Sequence, residues 1–236
     1  MPEHLSPWTQ SSCKRLFDLA LVLATLPFLI PVFLVIAAAI RLTSSGPVMF
    51  LQKRMGRHGH PFTIVKFRTM IHSEDRAHSL ITTAVDPRLT PLGSFLRWWK
   101  LDELPQLVNV IRGDMSLIGP RPKVFEHQVA ELGCRPGITG AATLAFAREE
   151  IALASVPKHQ LNNYYYDAVL PLKRQLDAEY MARATCLSDL ALIVNTALGI
   201  WSNYVPCKSS ASLELDLNIT PVTSTSQIRS QEASSR

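Results

Sequence analysis

The sequence lacks most of the short motifs by which nucleotide-binding enzymes are identified. Neither the phosphate-loop pattern Gly-x-x-x-x-Gly-Lys nor the dinucleotide pattern Gly-x-Gly-x-x-Gly occurs in its 236 residues. It has no Asp-x-Asp, which a soluble metal-dependent nucleotide-sugar transferase would carry after a strand, and no His-x-x-x-x-Asp of glycerolipid acyltransferases. Internal repeats are also missing. These absences argue against the usual nucleotide-binding folds and against those two transferase classes.

Cysteine is scarce, and the charge imbalance is small. The four cysteines, Cys13, Cys134, Cys186 and Cys207, form no Cys-x-x-Cys pair. They fit free thiols in a reducing compartment better than a disulfide framework or a zinc site. The net charge of +5 fits an anionic membrane surface or phosphorylated ligands, and alone it does not predict a nucleic-acid partner.

One long apolar segment, residues 14–41, dominates the N-terminal part of the chain. Asp18 is the only charged residue between the basic residues at its two ends. A bilayer core needs about 20 helical residues, so the segment is long enough to span. Pro27 and Pro31 each remove a backbone donor and clash with the preceding turn, which predicts a break or kink.

Three topologies compete for this segment: a cleaved signal peptide, a straight transmembrane helix, and a helix–break–helix hairpin that returns to the same face. The length of the apolar run and Asp18 argue against the signal peptide. Basic residues at both ends are expected when both ends stay cytoplasmic. Hydropathy alone favours the straight helix, so the residue pattern leaves these two open.

A β-hairpin is predicted next, with strands at 48–52 and 62–68. In its second strand, period-two alternation puts Lys66 and Arg68 on one face. An edge strand blunted by charge and a pair of phosphate ligands both account for this pattern.

The acidic pair Asp102 and Glu103 lies at the predicted start of a helix over 101–113. Pro105 suits a first turn, and apolar residues recur at helical spacing after it. The unpaired amides and dipole at a helix start keep a carboxylate ionised and attract phosphate. An isolated pair would be interpreted as an N-cap. The rigid Gly-Pro-Arg-Pro turn at 119–122 holds a guanidinium nearby and favours an anion site.

The chain resembles the bacterial sugar transferases, the monotopic polyprenyl-phosphate phosphoglycosyltransferases that begin exopolysaccharide and glycan assembly. The blocks that carry the resemblance are Lys-Arg-Leu-Phe-Asp (14–18), Lys-Phe-Arg-Thr-Met (66–70), Leu-Asp-Glu-Leu-Pro-Gln (101–106), Gly-Asp-Met-Ser (113–116), Gly-Pro-Arg-Pro (119–122) and Arg-Pro-Gly-Ile-Thr-Gly (135–140). They occur in the family's order. The chain departs from the family at Ile30, which replaces the serine of a Ser-Pro break, and at 141–143, where Ala-Ala-Thr replaces Trp-Ala-Gln.

Residue pattern and resemblance together predict an α+β, mostly helical protein. Residues 1–13 are expected to be a mobile polar lead-in. Residues 14–41 are expected to form a membrane helix, and the resemblance favours the re-entrant, proline-broken form. Residues 42–205 would be a cytoplasmic catalytic domain with the small β-hairpin, and the Ser/Thr-rich residues 206–236 a disordered tail. The resemblance implies location at the bacterial inner membrane, with the catalytic domain facing the cytoplasm.

The resemblance also implies an enzyme that transfers a sugar-1-phosphate from a UDP-sugar to polyprenyl (undecaprenyl) phosphate and releases UMP. Asp102 would be the nucleophile of a covalent aspartyl-phosphosugar intermediate. Glu103 would either bind Mg²⁺ together with Asp102 or manage a proton. The predicted phosphate ligands are Lys66, Arg68, Arg97, Arg121 and Arg135.

The expected partners are therefore a UDP-sugar, polyprenyl phosphate and inner-membrane lipid, without nucleic acid. The sugar and the oligomeric state stay open, a homo-oligomer included. The alternative is a non-catalytic membrane-tethered adaptor or scaffold whose basic face binds anionic lipid. It accounts for the charge and the apolar segment, but not for an acidic pair combined with Gly-Pro-Arg-Pro and a two-cation strand.

Overall fold

The computed structural model describes residues 4–71, 86–123, 132–147, 149, 153 and 156–199, and every structural statement below concerns these residues. The predicted tail, 206–236, lies outside them. The described part is mostly helical with a small two-stranded antiparallel sheet and one apolar N-terminal helix, which confirms the predicted class at that level.

Residues 6–10, within the predicted N-terminal lead-in, contact the C-terminal part of the described chain. Helix α1 spans Pro7–Gln10, and the Ser6 hydroxyl caps it by accepting a hydrogen bond from the Trp8 amide. The Ser6 amide donates to the Met181 carbonyl at 2.8 Å, and the Ser6 hydroxyl donates to the Ala184 carbonyl. Polar composition suggested mobility here, but these partners are distant in sequence and only the fold supplies them.

Helix α2 spans Ser12–Thr43 and is long and apolar enough to cross a membrane, by length and composition. The helix runs on through Pro27 and Pro31, so the predicted interruption is not a break in the secondary structure. Most of its large apolar side chains are exposed, including Leu23, Phe28 and Val35.

Both ends of α2 nevertheless pack on the same body. Near its N-terminus Val22 joins a core cluster with Ile64 and Val110. Near its C-terminus Ile36 and Ile40 join a second cluster with Phe67 and Leu96. The exposed apolar surface in the middle of α2 therefore lies between two helical segments that pack on the folded domain.

The predicted β-hairpin is present and longer than expected in its first strand. Strand β1 spans Met49–Met55 and pairs antiparallel with β2, Pro61–Phe67. Positive φ angles at His58 and Gly59 make the turn between them. Gly59 adopts this conformation without the Cβ clash that other residues incur.

The segment after the hairpin carries the predicted acidic helix. Helix α3 spans Pro91–Trp98, a 3-10 helix follows at Leu101–Gln106, and α4 spans Leu107–Arg112. Gly113, at φ 94°, ends α4 in the left-handed conformation typical of a helix C-terminus. The predicted helix over 101–113 is therefore correct in extent, but its first six residues are 3-10.

A second, parallel sheet was not predicted. Strand β3, Ser116–Ile118, pairs with β4, Gly137–Thr139. Backbone approach is very close here: a Cβ on Gly137 would lie 2.1 Å from the Gly119 nitrogen. Three-residue strands are too short to give a periodic signal, which is why sequence inspection missed them.

The C-terminal part of the described chain is helical, as predicted. Its elements are α5 (Ala141–Ala145), α6 (Lys158–Tyr164), a π-helical turn (Tyr165–Val169), α7 (Leu170–Arg183) and α8 (Cys186–Ala197). Ile118, Leu144 and Leu192 form the centre of a core cluster between these helices and β3. This core supports the turn that follows β3.

Candidate active site

The acidic pair is positioned by a sharp change of direction after α3. Lys100 adopts the left-handed conformation at φ 56° and turns the chain into the 3-10 helix. Asp102 and Glu103 occupy the first turn of that helix, as predicted. Lys100, not an acidic residue, holds the N-cap position, and no side chain caps it by a hydrogen bond. The interpretation of the pair as an ordinary N-cap is therefore not supported.

Glu103 is buried and held by two cations. Its Oε1 atom accepts a hydrogen bond from Lys66 Nζ at 3.0 Å and an ion-paired hydrogen bond from Arg121. Burial by itself raises the pKa of Glu103, but Arg121 and Lys66 outweigh it and hold that pKa below its ordinary value. In return, Glu103 raises the pKa of Arg121. Glu103 is thus a permanently ionised carboxylate that fixes the positions of two cations.

Asp102 lies beside Glu103 in a different environment. It is 7% exposed, and its Oδ1 atom is buried without a hydrogen-bond partner in the described part of the chain. Burial, followed by repulsion from Glu103, raises the pKa of Asp102 to about 6, against the opposing attraction of Lys66 and Arg97. Two adjacent carboxylates whose pKa values are pushed apart are typical of sites that assign them different roles.

A small cleft is lined by Lys66 and Arg121, the two cations that Glu103 holds. Its charged lining residues are Arg54, Lys66 and Arg121, and buried Gln106 contributes a polar side chain. Burial lowers the pKa of Lys66, although Glu103 opposes this effect. Three cations around one cleft make it a candidate binding site for a phosphorylated ligand.

Sequence reasoning missed Arg54 and Gln106. In the hairpin register Arg54 pairs with Phe62. Phe62 and Lys66 are four residues apart on β2, so Arg54 lies on the face of the sheet that carries Lys66. The predicted first strand ended at residue 52, two residues too early to include Arg54. For Gln106, the available signal was its position three residues after Glu103, one full turn of a 3-10 helix.

The turn at 119–122 brings Arg121 to Glu103. Gly119 lies where the backbones of β3 and β4 converge, and a Cβ on Gly119 would lie 2.6 Å from the Arg135 carbonyl oxygen. Only glycine allows that approach, and Pro120 and Pro122 then restrict the backbone on both sides of the arginine. The predicted rigid turn is therefore present and carries its guanidinium to the acidic pair.

The other predicted phosphate ligands are distributed differently. Arg97 lies close enough to Asp102 to lower its pKa. The terminal nitrogens of Arg68 donate to the Ser44 and Ser45 carbonyls after α2, while its Nε has no partner among the described residues. Arg135 donates to the Gly113 carbonyl at the end of α4. Lys66, Arg97 and Arg121 are thus brought to the acidic pair, whereas Arg68 and Arg135 contact helix C-termini.

Within the described residues, no three His, Cys, Asp or Glu side chains are grouped as a metal site. Mg²⁺, however, is commonly held by one or two carboxylates together with substrate phosphates and water. The unpartnered Oδ1 of Asp102 fits such a ligand. Glu103 fits it less well, because its Oε1 already accepts from two cations.

Comparison with known proteins gives one family and several relatives. The family described as bacterial sugar transferase matches residues 9–203. The undecaprenyl-phosphate glucose phosphotransferase of Komagataeibacter xylinus is 40% identical over 161 residues, covering 62% of this chain and 30% of that protein. The UDP-glucose:undecaprenyl-phosphate glucose-1-phosphate transferase of Xanthomonas campestris is 35% identical, covering 79% of this chain and 38% of that protein.

A third relative is closer in size. The exopolysaccharide production protein ExoY of Sinorhizobium fredii is 32% identical over 205 residues, which cover 78% of this chain and 83% of that protein. The match with the first two relatives therefore spans about a third of their length, whereas the match with ExoY spans most of it.

Proposed function

This chain belongs to the bacterial sugar transferase family, and we propose that it transfers a sugar-1-phosphate from a UDP-sugar to polyprenyl phosphate, releasing UMP. The observation that carries the proposal is Asp102, a buried carboxylate with an unpartnered oxygen beside Glu103, Lys66 and Arg121. The names of the relatives support this substrate class.

In the proposed first step, an Asp102 carboxylate oxygen attacks the phosphorus that carries the sugar. The bond from that phosphorus to the bridging oxygen breaks, and UMP leaves with that oxygen. A phosphate oxygen of the polyprenyl phosphate then attacks the same phosphorus and releases Asp102 as a free carboxylate. Splitting one transfer into two displacements is the usual advantage of a covalent intermediate.

The cations around the acidic pair address the main obstacle to this reaction. A carboxylate that approaches a diphosphate meets Coulomb repulsion, which is strong in a buried site. Lys66 and Arg121, held in place by Glu103, offset this repulsion and stabilise charge that develops on the phosphoryl oxygens. In this proposal Glu103 positions the two cations, and its carboxylate does not need to transfer a proton.

Mg²⁺ is part of the proposal as the group that Asp102 holds, with Glu103 as the weaker candidate ligand. When bound, it would neutralise diphosphate charge as a Lewis acid.

We also propose that α2 enters the membrane and returns to the cytoplasmic face. Its exposed apolar middle and the contacts of both of its ends with one body support this topology. A cysteine-labelling scan tests it: residues near position 11 and near position 44 should both be labelled from the cytoplasmic side. Labelling from opposite sides would establish a spanning helix.

A panel assay tests the enzymatic proposal. The full chain in nanodiscs is incubated with undecaprenyl phosphate, Mg²⁺ and single UDP-sugars, and UMP is measured. We expect UMP formation with at least one sugar and only when the lipid phosphate is present. Lipid binding without UMP formation from any donor would favour the adaptor alternative.

A further inference from the structure

Gln106 is a buried polar residue to which the proposed chemistry gives no role. It ends the 3-10 helix, is 2% exposed, and its Nε2 atom has no hydrogen-bond partner in the part of the chain that the structure describes. A buried donor without an acceptor costs about 1–3 kcal/mol. Such groups are rare in folded proteins, and each one calls for an explanation.

The position of Gln106 supplies that explanation. A 3-10 helix has three residues per turn, so the side chains of Glu103 and Gln106 lie one above the other. Gln106 lines the same cleft as Lys66 and Arg121, the two partners of Glu103. Its free amide is therefore beside the cations and not in an isolated part of the core.

The chemistry of the cleft indicates what would satisfy this amide. The charged side chains that line it, Arg54, Lys66 and Arg121, carry only hydrogen-bond donors and no acceptor atom. The other lining residues are Ile64, Pro122, Gly137 and Ile138. A ligand can supply the missing acceptor, and an anion with several oxygen atoms matches a cleft whose charged groups only donate.

We propose that Gln106 is a further substrate-binding residue, whose side-chain amide donates a hydrogen bond to a phosphoryl oxygen of the ligand held by Lys66 and Arg121. The identity of that ligand rests on the proposed function: the diphosphate of the nucleotide donor. The acceptor lipid shares the phosphoryl chemistry, so the experiment separates these two sources.

Direct binding of UDP to the full chain in nanodiscs tests the proposal without requiring turnover. The Gln106→Leu variant should bind UDP about 10-fold more weakly, the loss expected for one hydrogen bond to a charged group. Its melting temperature in the absence of UDP should be equal to or higher than that of the wild type, because an unpaired buried donor is removed. Gln160→Leu, at an exposed glutamine on α6, is the matched control and should change neither quantity.

Two further measurements address the case in which Gln106→Leu does not fold and the case in which the phosphoryl group belongs to the lipid. The Gln106→Glu variant keeps the side-chain size but adds a charge that repels phosphate, so its UDP affinity should fall further. The KM for undecaprenyl phosphate is measured with the same variants. A change only in that KM supports the phosphoryl contact but assigns it to the lipid.

The results that overturn the inference are distinct from those that overturn the proposed function. Unchanged UDP affinity and unchanged lipid KM in both Gln106 variants, or a lower melting temperature as the sole effect of Gln106→Leu, would make Gln106 a packing residue. If the wild type binds UDP more tightly than the Gln106 variants but releases no UMP, the Gln106 contact is retained and the transferase reaction is rejected.

Discussion

Two buried carboxylate clusters of this chain, each with a lysine, differ in how completely their oxygen atoms are hydrogen bonded. We call the first the anchor cluster, formed by Trp8, Lys14, Asp18, Tyr180 and Asp189. The second is the acidic-pair cluster, formed by Lys66, Asp102, Glu103 and Arg121. The anchor cluster joins the start of α2 to α7 and α8, and the acidic-pair cluster borders the cleft.

Both carboxylates of the anchor cluster have partners for each oxygen. Asp189 Oδ2 accepts from Trp8 Nε1 at 2.8 Å and Lys14 Nζ at 2.5 Å, and its Oδ1 accepts from the Tyr180 hydroxyl at 2.8 Å. The two oxygens of Asp18 accept from the Ser116 hydroxyl and the Leu117 amide. Fully satisfied buried networks of this kind rigidify a fold.

The acidic-pair cluster is incomplete by comparison. Asp102 Oδ1 lacks a donor, and neighbouring Gln106 Nε2 lacks an acceptor, among the described residues. The comparison teaches that burial of charge alone does not identify a functional site in this protein. The two clusters differ instead in the buried polar atoms that stay unsatisfied beside the cleft, which a ligand could satisfy.

The largest expected effect is that of Asp102→Asn. We expect UMP formation to fall on the order of 10³-fold or more, since the variant removes the proposed nucleophile. Intact-protein mass spectrometry should find no phosphosugar adduct in the variant. Asp167→Asn, at an exposed position, is the control and should keep both signals.

Asp102→Asn should lower activity without lowering thermal stability. The raised pKa of Asp102 means that the folded protein holds the proton more strongly than the unfolded chain does. The stabilisation from the protonated form is therefore lost as pH rises through about 6. Asp102→Asn should melt no lower than the wild type at pH 7.5, and a marked decrease in its melting temperature would mean that Asp102 is structural.

A substitution in the anchor cluster should lower thermal stability without impairing UDP binding by the folded protein. Asp189→Asn removes the 2.5 Å partner of Lys14 and leaves a buried ammonium, with Asp18 at 4.0 Å. Breaking a buried pair by removal of one partner costs about 3 kcal/mol or more. Thermal unfolding should report this loss, while the folded fraction binds UDP normally. The double variant Lys14→Met/Asp189→Leu should recover part of the loss, and failure to recover would contradict a merely structural pair.

A smaller effect is expected from Arg121→Lys. The variant keeps the charge beside Glu103 but loses the planar fork that suits phosphate. We expect kcat/KM to fall by about 10- to 100-fold, in the range for loss of one electrostatic contact to the transition state. Arg183→Lys, with a side chain exposed on α7, is the control. Equal activity in both variants would remove Arg121 from the phosphate site.

The smallest effect is expected from a change of pH, measured on the wild type. Because Asp102 must be ionised to act as a nucleophile and its pKa is raised to about 6, kcat/KM should fall below that pH. The expected slope is about tenfold per pH unit. Glu103, whose pKa is lowered, stays ionised throughout this range. A profile that is flat from pH 5 to 7 would contradict the role of Asp102.

Sequence reasoning predicted the local features of the site well. It located the helix that begins at the acidic pair, the rigid turn around Arg121 and the strand that carries Lys66. Each of these depends on short-range rules: proline in a first turn, proline and glycine in a turn, and alternation along a strand. It did not predict the contacts of Arg68 and Arg135 with the carbonyls after α2 and at the end of α4, because these contacts depend on where distant helices end.

The amino-acid sequence by itself determined the family, the apolar helix and the residues that could carry charge to a phosphate. Only the tertiary structure decided which of these residues meet and which of their polar atoms stay without partners. Hydrogen bonds between side chains far apart in sequence, such as Lys66 to Glu103 and Trp8 to Asp189, depend on the packing of the whole chain. Periodicity describes only a residue's own helix or strand, so it cannot distinguish the satisfied anchor cluster from the incomplete acidic-pair cluster.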